Sequence, residues 1–289
     1  ADLARVHYLP MQMRAVFDYL SQGVDVCLMQ VAYDRDGVLR MGPNVDFAAA
    51  VLASSKVVIA ELNTALRAPL GCPRIEPEQI DYLFESDRAL TPMAEPKIDA
   101  AAQKIGKLVA ELIHDGDCLQ TGIGAIPAAI LNELDTKNDL GLHGGLLDAG
   151  GRRLIDAGNV NGSRKAIDTG VHITGMALGD EALFDWLADQ ASVIFRGADH
   201  THEVSAIAQL HNFVSINSAV EVDLFGQVNA EYARGRQISG TGGSVDFMRA
   251  AKASKGGRSI VAMNATARGG SLSRIVPRVD MVTALRTDV

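Results

Sequence analysis

The sequence predicts an α/β fold with mostly parallel sheets, and three observations carry that expectation. Strand-like apolar runs alternate with helical ones over most of residues 97–289, the order that builds parallel sheets. One junction, Cys118-Leu119-Gln120-Thr121-Gly122-Ile123-Gly124-Ala125-Ile126-Pro127, reads as a strand, a glycine turn and a helix start. The composition, 47% hydrophobic with 28 glycines over 289 residues, suits a sizeable core with many tight turns.

That length holds one large domain or two ordinary ones. A first unit spans 1–95 and a second 97–289, joined by Thr91-Pro92-Met93-Ala94-Glu95-Pro96. A net charge of −8 argues against a nucleic-acid or anionic-membrane surface. Three scattered cysteines, Cys27, Cys72 and Cys118, have no paired-ligand spacing. They point to a reducing, cytoplasmic setting with neither a disulfide frame nor a zinc site. The most apolar stretch, 47–62, is broken by Ser54-Ser55-Lys56 and Glu61, so no membrane span is expected. The start lacks the basic-then-apolar plan of a signal peptide.

In the first unit, 24–31 reads as a strand and Asp36-Gly37 as a hairpin turn. Residues 47–55 are alanine-rich and helical, and 57–62 form a buried strand. Glu61 and Asn63 close that strand, either beside a site or as a satisfied polar pair.

In the second unit, 98–114 is an amphipathic helix with Ile105, Leu108, Val109, Leu112 and Ile113 as its apolar stripe. Gly116 is placed as the glycine after the helix end. The strand 118–121 follows, then the turn at Gly122 and Gly124, with Pro127 in the first turn of the next helix. Residues 140–148 read as the next strand of the same sheet, ending at the same edge. Then come a strand at 172–178, a helix at 180–187 with acidic Asp180-Glu181 at its start, and a strand at 192–195. From Phe213 the pattern turns to hairpins: 214–224, a turn at Phe225-Gly226, and 227–231. Gly240-Thr241-Gly242-Gly243 is a second glycine turn, entering a helix over 245–253.

A strand–glycine–helix turn aims backbone N–H groups at one spot, which favours an anion or a polarised carbonyl oxygen. From the glycines alone, an ordinary α/β turn reads the same way. With its neighbours, the loop resembles the acetyl-CoA hydrolase/transferase family, the 4-hydroxybutyrate-CoA-transferase-like branch of the class I CoA-transferases. There an Asp-Gly pair, here Asp115-Gly116, leads into LQ-x-GIG-x-IP, and a strand of the form LG-hydrophobic-H-x-E follows. Residues 215–231, 238–247 and 271–277 extend the match. The resemblance implies two CoA-transferase-type α/β domains, with β-hairpin additions in the second. It also implies that the chain begins partway into the first domain and stops before a glycine-bearing segment that helps line the CoA site in relatives.

The family nucleophile is the glutamate of that strand, which forms a mixed anhydride and then a glutamyl-CoA thioester. Counted without gaps from His143, its place is taken by Gly145, which cannot do this chemistry. The family's Y-x-N-x-P motif matches Asp199-His200-Thr201-His202-Glu203, which puts His202 at the asparagine. The resemblance further implies coenzyme A as substrate and product, bound by the backbone of Gly122, Ile123, Gly124, Ala125 and Ile126. An acyl-CoA and a small carboxylic acid are the expected partners, with a homodimer or homo-oligomer as the assembly. Without the glutamate, a water activated by His202 or His143 is the simplest route. Glu221 is a candidate replacement nucleophile, and Glu231 a candidate pocket wall. His200 and His202 alternate, so on a strand they share a face. A metal site needs another ligand, such as His211 or an acid, and the sequence fixes none, so no metal is expected. Two other classes stay open: a catalytically altered or inactive CoA-binding subunit, and a dinucleotide-binding oxidoreductase using Gly122, Gly124 and Asp148. The latter lacks the third glycine and has Pro127 against it.

Overall fold

The computed structural model describes residues 7–289, so part of the signal-peptide reading, residues 1–6, lies outside the described residues. The first segment contains α1 (Met13–Leu20), β1 (Val24–Tyr33), β2 (Leu39–Met41), α2 (Ala48–Ser54), β3 (Ser55–Asn63) and β4 (Tyr82–Ser86). Its sheet runs β2-β1-β3-β4, with β1, β3 and β4 parallel and β2 antiparallel. Asp34 turns the chain between β1 and β2: its Oδ1 accepts from the N–H groups of Asp36 and Val38, both at 2.9 Å.

The sheet is covered on one side only. Val31, Ala60 and Leu62 pack with Leu147, Leu183, Leu187 and Phe195 from later in the chain. On the opposite face Leu28, Ile59 and Tyr82 lie in register, and Val26, Leu28, Tyr82 and Phe84 are exposed. The buried strand expected at 57–62 is therefore half-buried.

Next come α3 (Ala100–Ala110), β5 (Cys118–Thr121), α4 (Ala125–Asn132), β6 (Gly141–Leu142), β7 (Leu146–Leu147) and α5 (Ala149–Asp156). They are followed by β8 (His172–Thr174), β9 (Met176–Ala177), α6 (Glu181–Asp189), β10 (Val193–Phe195), α7 (Ala198–Thr201) and α8 (Val204–Ile207). The remaining labelled elements are β11 (Phe213–Asn217), β12 (Glu221–Asp223), β13 (Val228–Asn229), β14 (Tyr232–Ala233), β15 (Arg236–Gln237), α9 (Ser244–Ala253) and β16 (Arg258–Val261).

A parallel sheet, β16-β11-β5-β6, is the frame of this part. On one side Leu119, Val214 and Ile216 pack with Val109 of α3, Ile130 and Leu131 of α4, and Leu154 of α5. On the other, Phe213 packs with Ile207 of α8 and Phe247 and Ala251 of α9. Every residue of β11 is buried, as a parallel strand covered on both faces requires.

Five further expectations are corrected. Residues 213–217 form this central strand rather than a hairpin arm; the hairpin is β12–β13. The helix expected at 98–114 spans only Ala100–Ala110, and Leu108 and Leu112 of its supposed stripe are exposed. Val109 and Ile113 of the stripe are buried as expected, but Ala102, Gly106 and Ala110 take the place of the two leucines, because small residues let the helix approach α4 closely. Gly116 therefore lies in a later turn and does not end the helix.

The strand expected at 140–148 breaks at His143-Gly144-Gly145. β6 stays with β5, whereas β7 pairs with β9, so the chain changes sheets across the two glycines. Finally, His200 and His202 do not alternate along a strand. Residues 198–201 form a helical turn and His202 caps it, so the rings point in different directions about that axis.

Candidate functional site

The glycine turn closes β5 and opens α4. Gly124 caps the helix with φ +123°, a conformation L side chains rarely adopt, and open space lies where its Cβ would be. The first intrahelical bond here runs from Ala128 N–H to Gly124 C=O at 3.1 Å. The N–H groups of Ala125 and Ile126 precede it and have no acceptor within the helix, and Pro127 has none to offer. Gly122 differs: its φ is not positive, and its N–H is held by Ile216 C=O at 3.0 Å. Behind the turn, Asn217 Nδ2 donates to Gln120 Oε1 at 3.0 Å inside the sheet. Both amides are buried.

Ile123 and Gly124 border a cleft of about 220 Å³ with the linker residues Met93 and Pro96, Leu146 and Asp148. Asp148 caps α5, its Oδ1 accepting from Gly151 N–H at 2.9 Å, and burial raises its pKa. A larger hollow of about 580 Å³ shares Asp180 with this cleft and carries Arg67 on its wall.

Gly145 lies just before Leu146 of the cleft wall, and its open side is occupied. A Cβ there would stand 2.9 Å from Cε1 and 3.1 Å from Nε2 of His202. A Cβ on Gly243 would stand 2.3 Å from Nε2 and 2.4 Å from Cδ2 of the same ring. The imidazole therefore fills a slot that two glycines leave open, with Phe247 against it at a ring separation of 4.4 Å. The Thr201 hydroxyl donates to Gly197 C=O at 3.1 Å and lies 2.8 Å from His202 Nδ1. With its one proton so placed, it accepts from Nδ1–H, which leaves Nε2 as the basic nitrogen. Burial lowers the His202 pKa to about 4.

His143 is 0% exposed, and neither ring nitrogen has a hydrogen-bond partner among the described residues. Burial first, then the charges of Lys165 and His200, lower its pKa to about 3. Neither His143 nor His202 borders the cleft. Activation of water by either ring thus lacks both solvent contact and a titration in the ordinary histidine range. Glu221 is on β12, where its carboxylate accepts from Asn229 at 3.4 Å, and it too is absent from the cleft wall. Glu231 accepts from Gln237 Nε2 at 2.9 Å and Thr283 Oγ1 at 3.1 Å. At the end of β3, Glu61 accepts from Ser86 and Arg88, and Asn63 donates to Arg88 C=O at 2.8 Å, a satisfied polar pair. His211 is not part of the one cluster of possible metal ligands among the described residues, which comprises His143, Asp168 and His200.

Sequence reasoning missed Asp46. It is 2% exposed, its Oδ1 has no partner, and burial raises its pKa to about 7. It lies where a Cβ on Gly175 would be, 2.0 Å from Oδ1 and 3.3 Å from the Gly145 carbonyl. No local signal marks it, since the contact joins residues about 130 positions apart. Asp168 and Lys165 were also missed: in sequence they are only a turn and an isolated cation.

Residues 179–289 match the model of the acetyl-CoA hydrolase/transferase C-terminal domain. The chain is 39% identical over 265 residues to a 4-hydroxybutyrate coenzyme A transferase of Clostridium kluyveri, covering 91% of this chain and 62% of that protein. A 4-hydroxybutyrate CoA-transferase structure from Porphyromonas gingivalis superposes with a TM-score of 0.84 at 32% identity, covering 97% of this chain and 69% of that one. RipA from Yersinia pestis superposes with a TM-score of 0.90 at 33% identity, covering 98% and 65%. The chain spans about three fifths of the length of the curated relatives it matches. Among the described residues, no helix is long and apolar enough to cross a membrane.

Proposed function

The chain belongs to the acetyl-CoA hydrolase/transferase family, and from that premise we propose that it binds an acyl-CoA at the glycine turn and either passes CoA to a carboxylic acid or hydrolyses the thioester. One observation carries this reading: the positive-φ Gly124, open on its Cβ side, opens α4 at the edge of the 220 Å³ cleft. A thioester carbonyl oxygen set there meets the free N–H groups of Ala125 and Ile126, which stabilise the negative charge that develops when its carbon is attacked. The CoA sulfur then leaves as thiolate. The adjoining hollow at Asp180 and Arg67 gives an elongated ligand room to continue.

In this reading residue 145 is not the nucleophile. The acceptor attacks the thioester directly: water gives the free acid and CoA, whereas a free carboxylate gives a mixed anhydride whose acceptor carbonyl the CoA thiolate then attacks, releasing the donor acid. Calorimetry with CoA and an acyl-CoA tests the binding. Mass spectrometry after incubation with acyl-CoA and borohydride tests the chemistry: no glutamyl adduct is expected on any residue, Glu221 included. Absence of CoA binding at millimolar concentration overturns the reading.

The His202 ring in its two-glycine slot favours a second reading, a CoA-binding chain without turnover. Measurable acyl-CoA hydrolysis or exchange by the purified chain excludes it. Three free, buried cysteines support a reducing, cytoplasmic setting. The uncovered apolar face of the first sheet supports a homo-oligomer.

A further inference from the structure

We propose that His143, His200 and Asp168 form a binding site for one divalent transition-metal ion, with zinc the best fit to the donor set. One ligand atom from each side chain lies within 4.8 Å of the other two, and His200 Nε2 stands 3.0 Å from Asp168 Oδ2. Two imidazoles and a carboxylate are a common zinc set, with the fourth position left to water.

The geometry is close to a coordination shell. Tetrahedral bonds of about 2.0–2.1 Å space their ligand atoms about 3.4 Å apart. His200 and Asp168, hydrogen-bonded at 3.0 Å, have to open by about 0.4 Å. From the 4.8 Å limit, His143 has to close by at most about 1.4 Å.

His143 provides the independent indication of a ligand. A fully buried imidazole with two unpartnered nitrogens is costly, and a metal bond satisfies one of them. Its ring lies 5.4 Å from that of His200. The side chains of Asp168 and His200 are 21% and 32% exposed, which gives an ion a way in.

The opposing charge is the buried Lys165. Its ammonium is held by the carbonyls of Val171 at 2.9 Å and Leu142 at 3.3 Å, and Asp168 offsets it. None of the three ligands borders the glycine-turn cleft. An ion would instead tie the end of β6 to α7, the segments that carry Gly145 and His202.

The test uses the whole chain after chelator treatment, with Zn²⁺ alone in calorimetry and thermal melts, and Co²⁺ as a spectroscopic probe. One equivalent of Zn²⁺ is expected to bind and raise the melting temperature. Co²⁺ should show the visible bands of a low-coordinate site. His200→Ala and Asp168→Asn, both at the open rim, should each weaken Zn²⁺ binding at least about tenfold and remove those bands. His143→Ala should do the same if it folds. Failure of the wild type to bind Zn²⁺, or binding that both rim variants leave unchanged, overturns the proposal. No outcome depends on catalytic activity, so the CoA reading stands or falls separately.

Discussion

The imidazole of His202 occupies the volume that any side chain at Gly145 would need: a Cβ there would lie 2.9 Å from its Cε1. Gly243 bounds the same ring, with its Cβ position 2.3 Å from Nε2, so three residues define one tightly filled slot.

The pair should behave as a unit. Gly145→Glu alone overfills the slot and should cost about 1–3 kcal/mol, read as a lower urea midpoint. Adding His202→Asn shortens the obstructing side chain and should recover part of that loss. It also offers the only form in which a glutamyl-CoA adduct at 145 is expected by mass spectrometry. A single Gly145→Glu variant as stable as the wild type would show that the ring does not block the position.

Gly124→Val should fold but lose CoA binding in calorimetry. The added Cβ meets no neighbour, so the cost comes from the +123° φ, roughly 1–3 kcal/mol of backbone strain. The strain shifts the turn that presents the N–H groups of Ala125 and Ile126. Unchanged affinity in the variant would move the CoA site elsewhere.

Gln120 and Asn217 should show strong energetic coupling. Either single change to leucine leaves the other amide buried and unpaired, at about 1–3 kcal/mol. The double change should cost less than the sum of the two. Additive losses in urea melts would mean that the hydrogen bond does not hold the sheet beneath the turn.

Asp46 should make the fold sensitive to alkali. Its folded pKa, about 7, lies above the ordinary 3.8, so the folded state keeps a proton that the unfolded chain has lost. Stability from this group is full below about 3.8 and declines as pH rises toward 7, by at most about 4 kcal/mol. Asp46→Asn should therefore gain on the wild type steadily between pH 4 and 7. A difference that stays constant across that range would place the ionised carboxylate in a satisfied environment.

His202 has the opposite sign. Its folded pKa of about 4 lies below the ordinary 6.5, so its contribution is full above 6.5 and is lost as pH falls toward 4. The advantage of the wild type over His202→Asn should shrink between pH 7 and 5 in matched urea melts. No narrowing would imply that the ring is already accessible to protons.

The elements legible in sequence were those whose signals are local. β5, with its glycine turn and Pro127, forms where the run Cys118–Thr121 places it, and Asp180 caps α6 as an acidic residue at a helix start should. The change of sheet at His143–Gly145 was hidden because the run 140–148 is apolar at both ends, and only tertiary pairing shows where it divides. The helical turn at His200 was missed for a related reason: with four residues it is too short to show a period. Asp46 and Asp168 became visible only when distant segments were brought together. The glycine turn at Gly122 and Gly124 lies where the sequence places it, with Ala125 and Ile126 opening α4, but the sequence could not reveal that a histidine fills the space beside Gly145.

The slot also bears on how such a chain could change over generations. Glutamate at 145 requires the ring at 202 to be gone first, while loss of the ring leaves a hole between two glycines that nothing else fills. Each single step passes through a less stable intermediate. The present arrangement is therefore held in place by its own packing, like a ratchet, whether or not the chain still turns over a thioester.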